Sequence, residues 1–114
     1  MQGKAEKENV FDFIFQVVKL IPRGKVTSYG AIASYIGVKG GARMVGYALN
    51  SSHGIAGLPA HRVVNRNGML TGKHHFENPH KMQELLEAED IVVQADKIIN
   101  FEAIFWNPTK KLKV

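Results

Sequence analysis

Two short segments punctuated by glycine constrain the fold of this 114-residue chain more than any other feature. The first segment is capped by Thr27 or Ser28 and is predicted to run as a helix up to Gly37, which closes it. After the glycines at 40–41, a second helix is predicted over residues 42–49. Two short helices joined by a glycine-containing turn are typical of a helix-turn-helix unit, in which the second helix occupies the recognition position.

Helical periodicity also precedes this pair. Apolar side chains recur at helical steps from Val10 to Ile21, which predicts an amphipathic helix that ends before Pro22. Residues 1–9 are polar, and we expect them to be disordered.

The second half of the chain predicts short extended pieces. Asn-Gly at 67–68 favours a tight hairpin turn between residues 62–65 and residues 69–70. Residues 91–93 and 98–105 are also expected to be extended. The β structure of this protein is therefore predicted to be small.

A further helix is predicted where Asn78 precedes Pro79, and it is expected to reach about Glu89. Neither an internal repeat nor a linker divides the chain, so we predict one domain over residues 10–108, followed by a basic tail at 109–114. The predicted fold class is mainly α with a small β element, a winged-helix-like (helix-turn-helix) domain.

Charge is distributed unevenly along the chain. The formal net charge is +5, and no Asp or Glu occurs from Phe13 to Phe76, a span that carries eight Lys and Arg residues. An acid-free span of this length favours a nucleic-acid partner, because phosphate contacts need positive charge without competing carboxylates. The alternative is that these cations only keep a small domain soluble.

The composition also excludes several classes of site. Cysteine is absent, which excludes disulfides, thiolate metal sites and a cysteine nucleophile. The five histidines follow no usual ligand spacing, so we expect neither a metal nor another cofactor. No apolar run is long enough to span a bilayer, and the N-terminus lacks the apolar region of a signal peptide. We therefore expect a cytoplasmic, DNA-associated protein without a membrane partner.

Five short motifs follow one another in order from Val26 to Trp106. They are Val26-Thr27-Ser28-Tyr29-Gly30, Ala42-Arg43-Met44-Val45-Gly46, Pro59-Ala60-His61-Arg62-Val63-Val64, Leu85-Leu86 with Glu89, and Trp106-Asn107-Pro108. With these motifs the chain resembles the DNA-binding, lesion-receiving domain of the O6-alkylguanine-DNA alkyltransferases. The spacings from Tyr29 to Arg43 and from Arg43 to Ala60 match the pattern of that family without a gap.

Ala60 is the main departure from the family pattern. The repair step of the family uses a cysteine thiolate that takes the alkyl group from guanine O6, and Ala60 stands at the position of that cysteine. A methyl side chain has no lone pair with which to attack. The chain is therefore similar to the alkyltransferase-like proteins, which bind O6-alkylguanine without repairing it and signal to nucleotide excision repair. Two alternatives stay open: a methyltransferase inactivated by a Cys-to-Ala replacement at position 60, and a generic winged-helix DNA-binding protein.

The resemblance implies roles in DNA binding for several residues of the first two motifs. Tyr29 would crowd the phosphate beside the target nucleotide and favour its rotation, and Arg43 would enter the base stack in place of the flipped base. Ala42 and Gly46 are small enough to let the recognition helix approach the minor groove closely. The expected DNA-binding set is Ser28, Tyr29, Lys39, Ala42, Arg43 and Gly46.

The resemblance also implies a lesion pocket. Its expected residues are Tyr29, Pro59, Ala60, Val63, Asn65, Met69 and Lys73. Lys73 aligns with a position where some alkyltransferase-like proteins carry an arginine that senses the electrostatics of the lesion; the alternative is a phosphate contact. Because alanine is smaller than cysteine, the pocket is also expected to have room for adducts larger than methyl.

His61 and Glu89 correspond to the proton relay of the catalytic relatives. Without a thiol to activate, they are expected to persist as a buried, hydrogen-bonded structural pair, and Arg62 is expected to brace the same loop. The partners implied by the resemblance are double-stranded DNA containing O6-alkylguanine and damage-recognition proteins of nucleotide excision repair, with the chain itself a monomer.

Overall fold

The computed structural model describes residues 3–38, 40–52 and 55–112, with side chains from residue 10 onward. About half of these residues are helical, and the strands are short. The elements in chain order are α1 (Gly3–Lys19), β1 (Thr27–Ser28), α2 (Tyr29–Ile36), α3 (Gly41–Asn50), β2 (Val63–Val64), α4 (Lys81–Glu87), β3 (Val93–Gln94), β4 (Lys97–Ile98), α5 (Phe101–Ile104) and α6 (Pro108–Lys111). The predicted class, mainly α with a small β element, is confirmed.

Helix α1 begins earlier than its apolar periodicity predicts. It starts at Gly3 rather than at Val10, so residues 3–9, predicted to be disordered, are helical. This segment contains alanine, lysine and glutamate, which favour helix even without an apolar stripe. The predicted domain boundaries at residues 10 and 108 stay a prediction.

Helices α2 and α3 form the predicted helix-turn-helix pair. The Ser28 hydroxyl accepts a hydrogen bond from the Ala31 amide at 3.1 Å and caps α2. Gly37 ends α2 in the left-handed conformation, with φ of 76°. The inner side of α3 is buried at Val45 and at residues 48–49, as its pattern predicts.

The strands form pairings beyond the predicted hairpin turn. β1 and β2 form a parallel ladder in which Thr27 faces Val63 and Ser28 faces Val64. The Asn-Gly turn does form, since the Gly68 amide donates to the Asn65 carbonyl at 2.9 Å. The chain beyond the turn, however, pairs with residues 96–98. The predicted hairpin turn is confirmed, because the Asn65 amide also donates to the Met69 carbonyl across it at 3.1 Å. The pairings with distant segments were not predicted, since local pattern considers only neighbours in the sequence.

The parallel ladder separates two apolar clusters. Neighbouring side chains of a strand point to opposite faces, so Val63 belongs to one cluster and Val64 to the other. The first cluster joins α1, α2 and α3 with Trp106, and the second joins α4 with the hairpin of β3 and β4. Segments from both halves of the chain therefore meet along β2.

The C-terminal third departs from prediction in two places. The Asn78 side chain accepts a hydrogen bond from the His80 amide at 2.8 Å and forms a separate turn, so α4 begins only at Lys81 and ends at Glu87. Residues 98–105, expected to be extended, contain α5. Residues 109–111 of the predicted basic tail belong to α6.

Candidate nucleic-acid interface

A cavity of about 400 Å³ lies where α2, α3 and α4 converge. This volume falls in the range of small-molecule sites. Its wall is a mixture of polar and apolar surface, and its lining consists of Tyr29, Leu49, Ser52, Ile55, Leu58, Ala60, Val63, Gly72, His75, Phe76, Glu77 and Met82. Three residues of the predicted lesion pocket, Tyr29, Ala60 and Val63, are brought together here.

Tyr29 lies at the first position of α2 and lines this cavity. A methyl group added at Gly72 would lie 2.7 Å from the Tyr29 hydroxyl oxygen, so any larger residue there would force the hydroxyl to shift. Burial raises the pKa of Tyr29 above its usual range, and the Thr71 side chain beside the hydroxyl offsets part of this effect. Tyr29 therefore presents a neutral hydroxyl at neutral pH.

A groove on the outer face of α3 adjoins the cavity. Tyr29, Gly72 and His75 line both the groove and the cavity. The other residues of the groove are Ala42, Arg43, Gly46, Tyr47, Asn50 and Thr71. Four predicted DNA-binding residues, Tyr29, Ala42, Arg43 and Gly46, thus border a single groove.

Positive charge on this face is available to a ligand. Arg43 is exposed, and among the residues that the structure describes no carboxylate pairs with it. Ser28 is buried as the cap of α2 and does not line the groove. Lys39, the remaining member of the predicted DNA-binding set, lies outside the described residues.

The structure places four of the seven predicted pocket residues away from the cavity lining, namely Pro59, Asn65, Met69 and Lys73. The Lys73 ammonium forms an ion pair with the Asp96 carboxylate at 2.6 Å. The Asn65 side chain accepts hydrogen bonds from the Asn67 and Met69 amides at 2.9 and 2.8 Å, which makes it a turn residue. Met69 joins the bridge to Lys97.

Pro59 is buried directly before Ala60 and does not line the cavity. Ala60 begins a 3₁₀ turn over Ala60–Arg62 and is partly buried at the cavity wall. The atom nearest to a bound group at this position is therefore a methyl carbon, which cannot act as a nucleophile.

Sequence reasoning missed much of the wall. Leu49, Leu58 and Met82 come from separate segments, and each matches an ordinary core pattern. Gly72 and His75 belong to a 3₁₀ turn, Thr71–His75, that no local signal predicted. Tyr47 had a usable signal, since it is a large aromatic on the polar side of α3 and is 56% exposed.

Behind the cavity, Glu89 connects three parts of the chain. Its carboxylate lies 2.7 Å from His61 Nε2 and accepts hydrogen bonds from Arg62 at 2.8 to 3.1 Å. The Gly24 amide donates to the same carboxylate at 2.7 Å. Arg62 also donates to the Ile21 carbonyl at 2.8 Å, so the loop after Ala60 is held against the end of the first helix.

The pKa values of this cluster follow from its contacts. Burial alone would raise the pKa of Glu89, but the hydrogen bonds from Arg62, the Gly24 amide and His61 outweigh it and lower the pKa to about 2. Burial lowers the pKa of His61, and the adjacent Glu89 carboxylate offsets only part of this. The structure thus brings together the predicted pair of His61 and Glu89, with Arg62 as a third member.

A helix-turn-helix unit is typical of DNA-binding domains, and in this one an exposed arginine lies beside a cavity. The family model of the 6-O-methylguanine DNA methyltransferase, DNA binding domain, matches residues 9–91. The alkyltransferase-like protein 1 of Schizosaccharomyces pombe is 30% identical over 99 residues, covering 83% of this chain and 92% of the relative. The DNA base-flipping protein of Escherichia coli is 37% identical over 109 residues, covering 93% and 81%.

Solved structures agree with these relatives. The crystal structure of S. pombe Atl1 in complex with damaged DNA containing O6-carboxymethylguanine superimposes with a TM-score of 0.78 at 29% identity, covering 89% of this chain and 97% of that one. The chain therefore belongs to the family of the 6-O-methylguanine DNA methyltransferase DNA-binding domain and, within it, to the alkyltransferase-like proteins. Among the described residues, none of the helices has both the length and the hydropathy that crossing a bilayer requires.

Proposed function

We propose that this protein binds duplex DNA containing O6-alkylguanine, rotates the modified base out of the stack and holds it without transferring the alkyl group. The relatives support this proposal by name, since one is a DNA base-flipping protein and another is bound to DNA that contains O6-carboxymethylguanine. The observation that carries it is the junction at Tyr29, where the cavity with Ala60 in its wall meets the groove with Arg43 at its edge.

The proposed geometry assigns separate tasks to the groove and the cavity. Taking a base out of a duplex costs a few kcal/mol, and a side chain that fills the vacated space offsets part of this cost. Arg43 is the exposed cation of the groove and fills the stack, while Tyr29 turns the nucleotide toward the cavity. Ala42 and Gly46 keep the surface of α3 low enough to enter the minor groove.

The absence of chemistry follows from the residues in the wall. Alkyl transfer needs a nucleophile beside the O6 substituent, and Ala60 provides only a methyl group there. His61 and Glu89 contact each other, and together with Arg62 they hold the loop that carries Ala60. His61 and Glu89, the counterparts of the proton relay in the catalytic relatives, are therefore proposed to have a structural role.

The fate of the bound lesion belongs to the same proposal. A protein that holds a lesion without repairing it needs a second system to remove the damage. By resemblance to the alkyltransferase-like proteins, we propose that a monomer of this chain marks the site for the damage-recognition proteins of nucleotide excision repair.

The first test compares binding to two duplexes that differ only in O6-methylguanine or guanine at one position, at one salt concentration. Fluorescence anisotropy is expected to show tighter binding to the modified duplex. Intact-protein mass spectrometry of the same mixture is expected to show no added methyl group. Equal affinity for both duplexes would leave only a generic DNA-binding domain, and a methylated protein would overturn the argument from Ala60.

A further inference from the structure

One wall of the cavity carries a charge that a lesion of guanine would meet. Glu77 lines the same cavity as Ala60 and is exposed, so an acidic side chain belongs to the wall. Lys73, the cation predicted to lie here, is bound to Asp96 at 2.6 Å and does not line the cavity. Among the described lining residues there is neither lysine nor arginine to balance the carboxylate.

Part of the wall is suited to apolar groups. Leu49, Ile55, Leu58, Phe76 and Met82 line the same cavity as Ala60. Each methylene group of an adduct that is buried against such a wall strengthens binding by about fourfold. A negative charge near Glu77 has the opposite effect, because two like charges about 4 Å apart in water weaken binding by about fivefold.

We infer that Glu77 makes this site discriminate by charge, so that it holds neutral, apolar O6-alkyl groups and disfavours adducts that end in a carboxylate. The inference rests on the proposed function, because it takes the cavity to be the place where the flipped guanine is held. Glu77 thus determines specificity within the site, and the apolar wall determines how large an adduct is accepted.

The test uses two adducts of nearly equal shape and different charge. O6-carboxymethylguanine is anionic, and O6-carbamoylmethylguanine replaces its carboxylate with a neutral amide. Duplexes containing either adduct or unmodified guanine are titrated at low salt and at pH 8, where histidines are mostly neutral. We expect the carbamoylmethyl duplex to bind about fivefold more tightly than the carboxymethyl duplex, and the difference to shrink as salt is added.

Replacing Glu77 identifies the source of the difference. Glu77→Gln is expected to bring the two affinities to within about twofold of each other, by strengthening binding of the carboxymethyl duplex. Glu102→Gln removes the same charge from an exposed residue of α5 that does not line the cavity, and it is expected to leave the ratio unchanged.

The outcomes separate this inference from the proposed function. If neither adduct binds more tightly than guanine, the proposed function is wrong and the inference falls with it. If both adducts bind more tightly than guanine but equally to each other, the site exists and the role of Glu77 is refuted. An unchanged ratio in Glu77→Gln also refutes that role.

Discussion

At the scale of single residues, the interface depends on how closely Tyr29 approaches the turn that contains Gly72. The backbone of Gly72 has no positive φ, so an alanine there is disfavoured only by the space that Tyr29 already occupies. Gly72 is buried, and its neighbour Thr71 lies beside the same hydroxyl. The position of Tyr29 therefore depends on the absence of a side-chain carbon at Gly72.

Gly72→Ala is expected to lower the free energy of unfolding by about 1 to 3 kcal/mol, because the added methyl group overpacks the site against the Tyr29 hydroxyl. Urea denaturation measures the change. In the double variant Gly72→Ala with Tyr29→Phe the hydroxyl is gone, and most of the loss is expected to be recovered.

Gly30→Ala is the matched control for this pair, since a methyl group at Gly30 meets no atom within 4 Å. It is expected to leave stability equal or slightly higher. A double variant as unstable as Gly72→Ala alone would show that contact with the hydroxyl is not the cause.

Arg43 gives the second prediction at this scale. Arg43→Ala is expected to weaken binding to O6-methylguanine DNA by about 1 to 3 kcal/mol, because the vacated stack is no longer filled. Lys19→Ala removes the same charge from an exposed position at the end of α1, and it is expected to cost much less. Similar losses in the two variants would mean that Arg43 contributes only general electrostatic attraction.

The sequence predicted some of the residues that line the cavity, but it did not predict the contacts of the others. Tyr29, Ala60 and Val63 meet at one cavity because motifs with fixed spacing carry them. Lys73 does not join them, since its partner Asp96 arrives from a hairpin far along the chain. Such an ion pair depends on how distant segments pack against each other in the folded protein, and the local sequence pattern does not predict it.

At the scale of elements, the limits of a helix were predicted correctly where capping residues mark its ends. Ser28 begins α2 with a local hydrogen bond, and Gly37 ends it with a left-handed backbone. The limits of α2 can therefore be predicted from the sequence. The ladder of β1 and β2 is only two residues long and joins segments far apart, and periodicity over such a length is not informative. The lining of the cavity is equally hard to predict from the sequence, because its residues come from many separate segments.

Helix α3 combines the proposed surface for DNA with a residue that weakens the helix. Gly46→Ala is expected to raise the free energy of unfolding by about 0.5 to 1 kcal/mol, because glycine disfavours helix and a methyl group there meets no atom within 4 Å. The same methyl group projects into the groove and is expected to weaken DNA binding. Thermal denaturation and anisotropy measured on one preparation would test both effects.

Gly30→Ala again serves as the control, because Gly30 lies in a helix but is not part of the groove lining. Its effect on DNA affinity is expected to be smaller than that of Gly46→Ala. Full DNA affinity in Gly46→Ala would contradict close approach of α3 to the duplex.

At the scale of the whole molecule, Glu89 ties the loop after Ala60 to the turn that follows α1. A carboxylate whose pKa in the folded state is about 2, against an ordinary value of 4.5, favours the folded state above pH 4.5. That contribution declines as the pH falls from 4.5 through about 2. The lowered pKa of His61 acts in the same direction, because its protonation at acid pH favours the unfolded chain.

Glu89→Gln is expected to destabilise the protein by about 3 to 5 kcal/mol at pH 7, because it leaves Arg62 without its buried partner. The variant is also expected to lose less stability than the wild type between pH 5 and pH 3 (about 2 kcal/mol less). Urea denaturation across this pH range measures both effects. Glu84→Gln, at an exposed position of α4, serves as the control; an equal effect of the two changes would remove Glu89 from this role.

The hydrogen bond from the Gly24 amide to Glu89 has a consequence for exchange with deuterated water. Amides in turns normally exchange quickly, whereas this amide exchanges only when its hydrogen bond to the carboxylate breaks. Because the same carboxylate binds His61 and Arg62, a single glycine signal in an NMR spectrum would report those openings of the loop that also free the Glu89 carboxylate. The motion of the site would thus be recorded by a proton on a different segment of the chain.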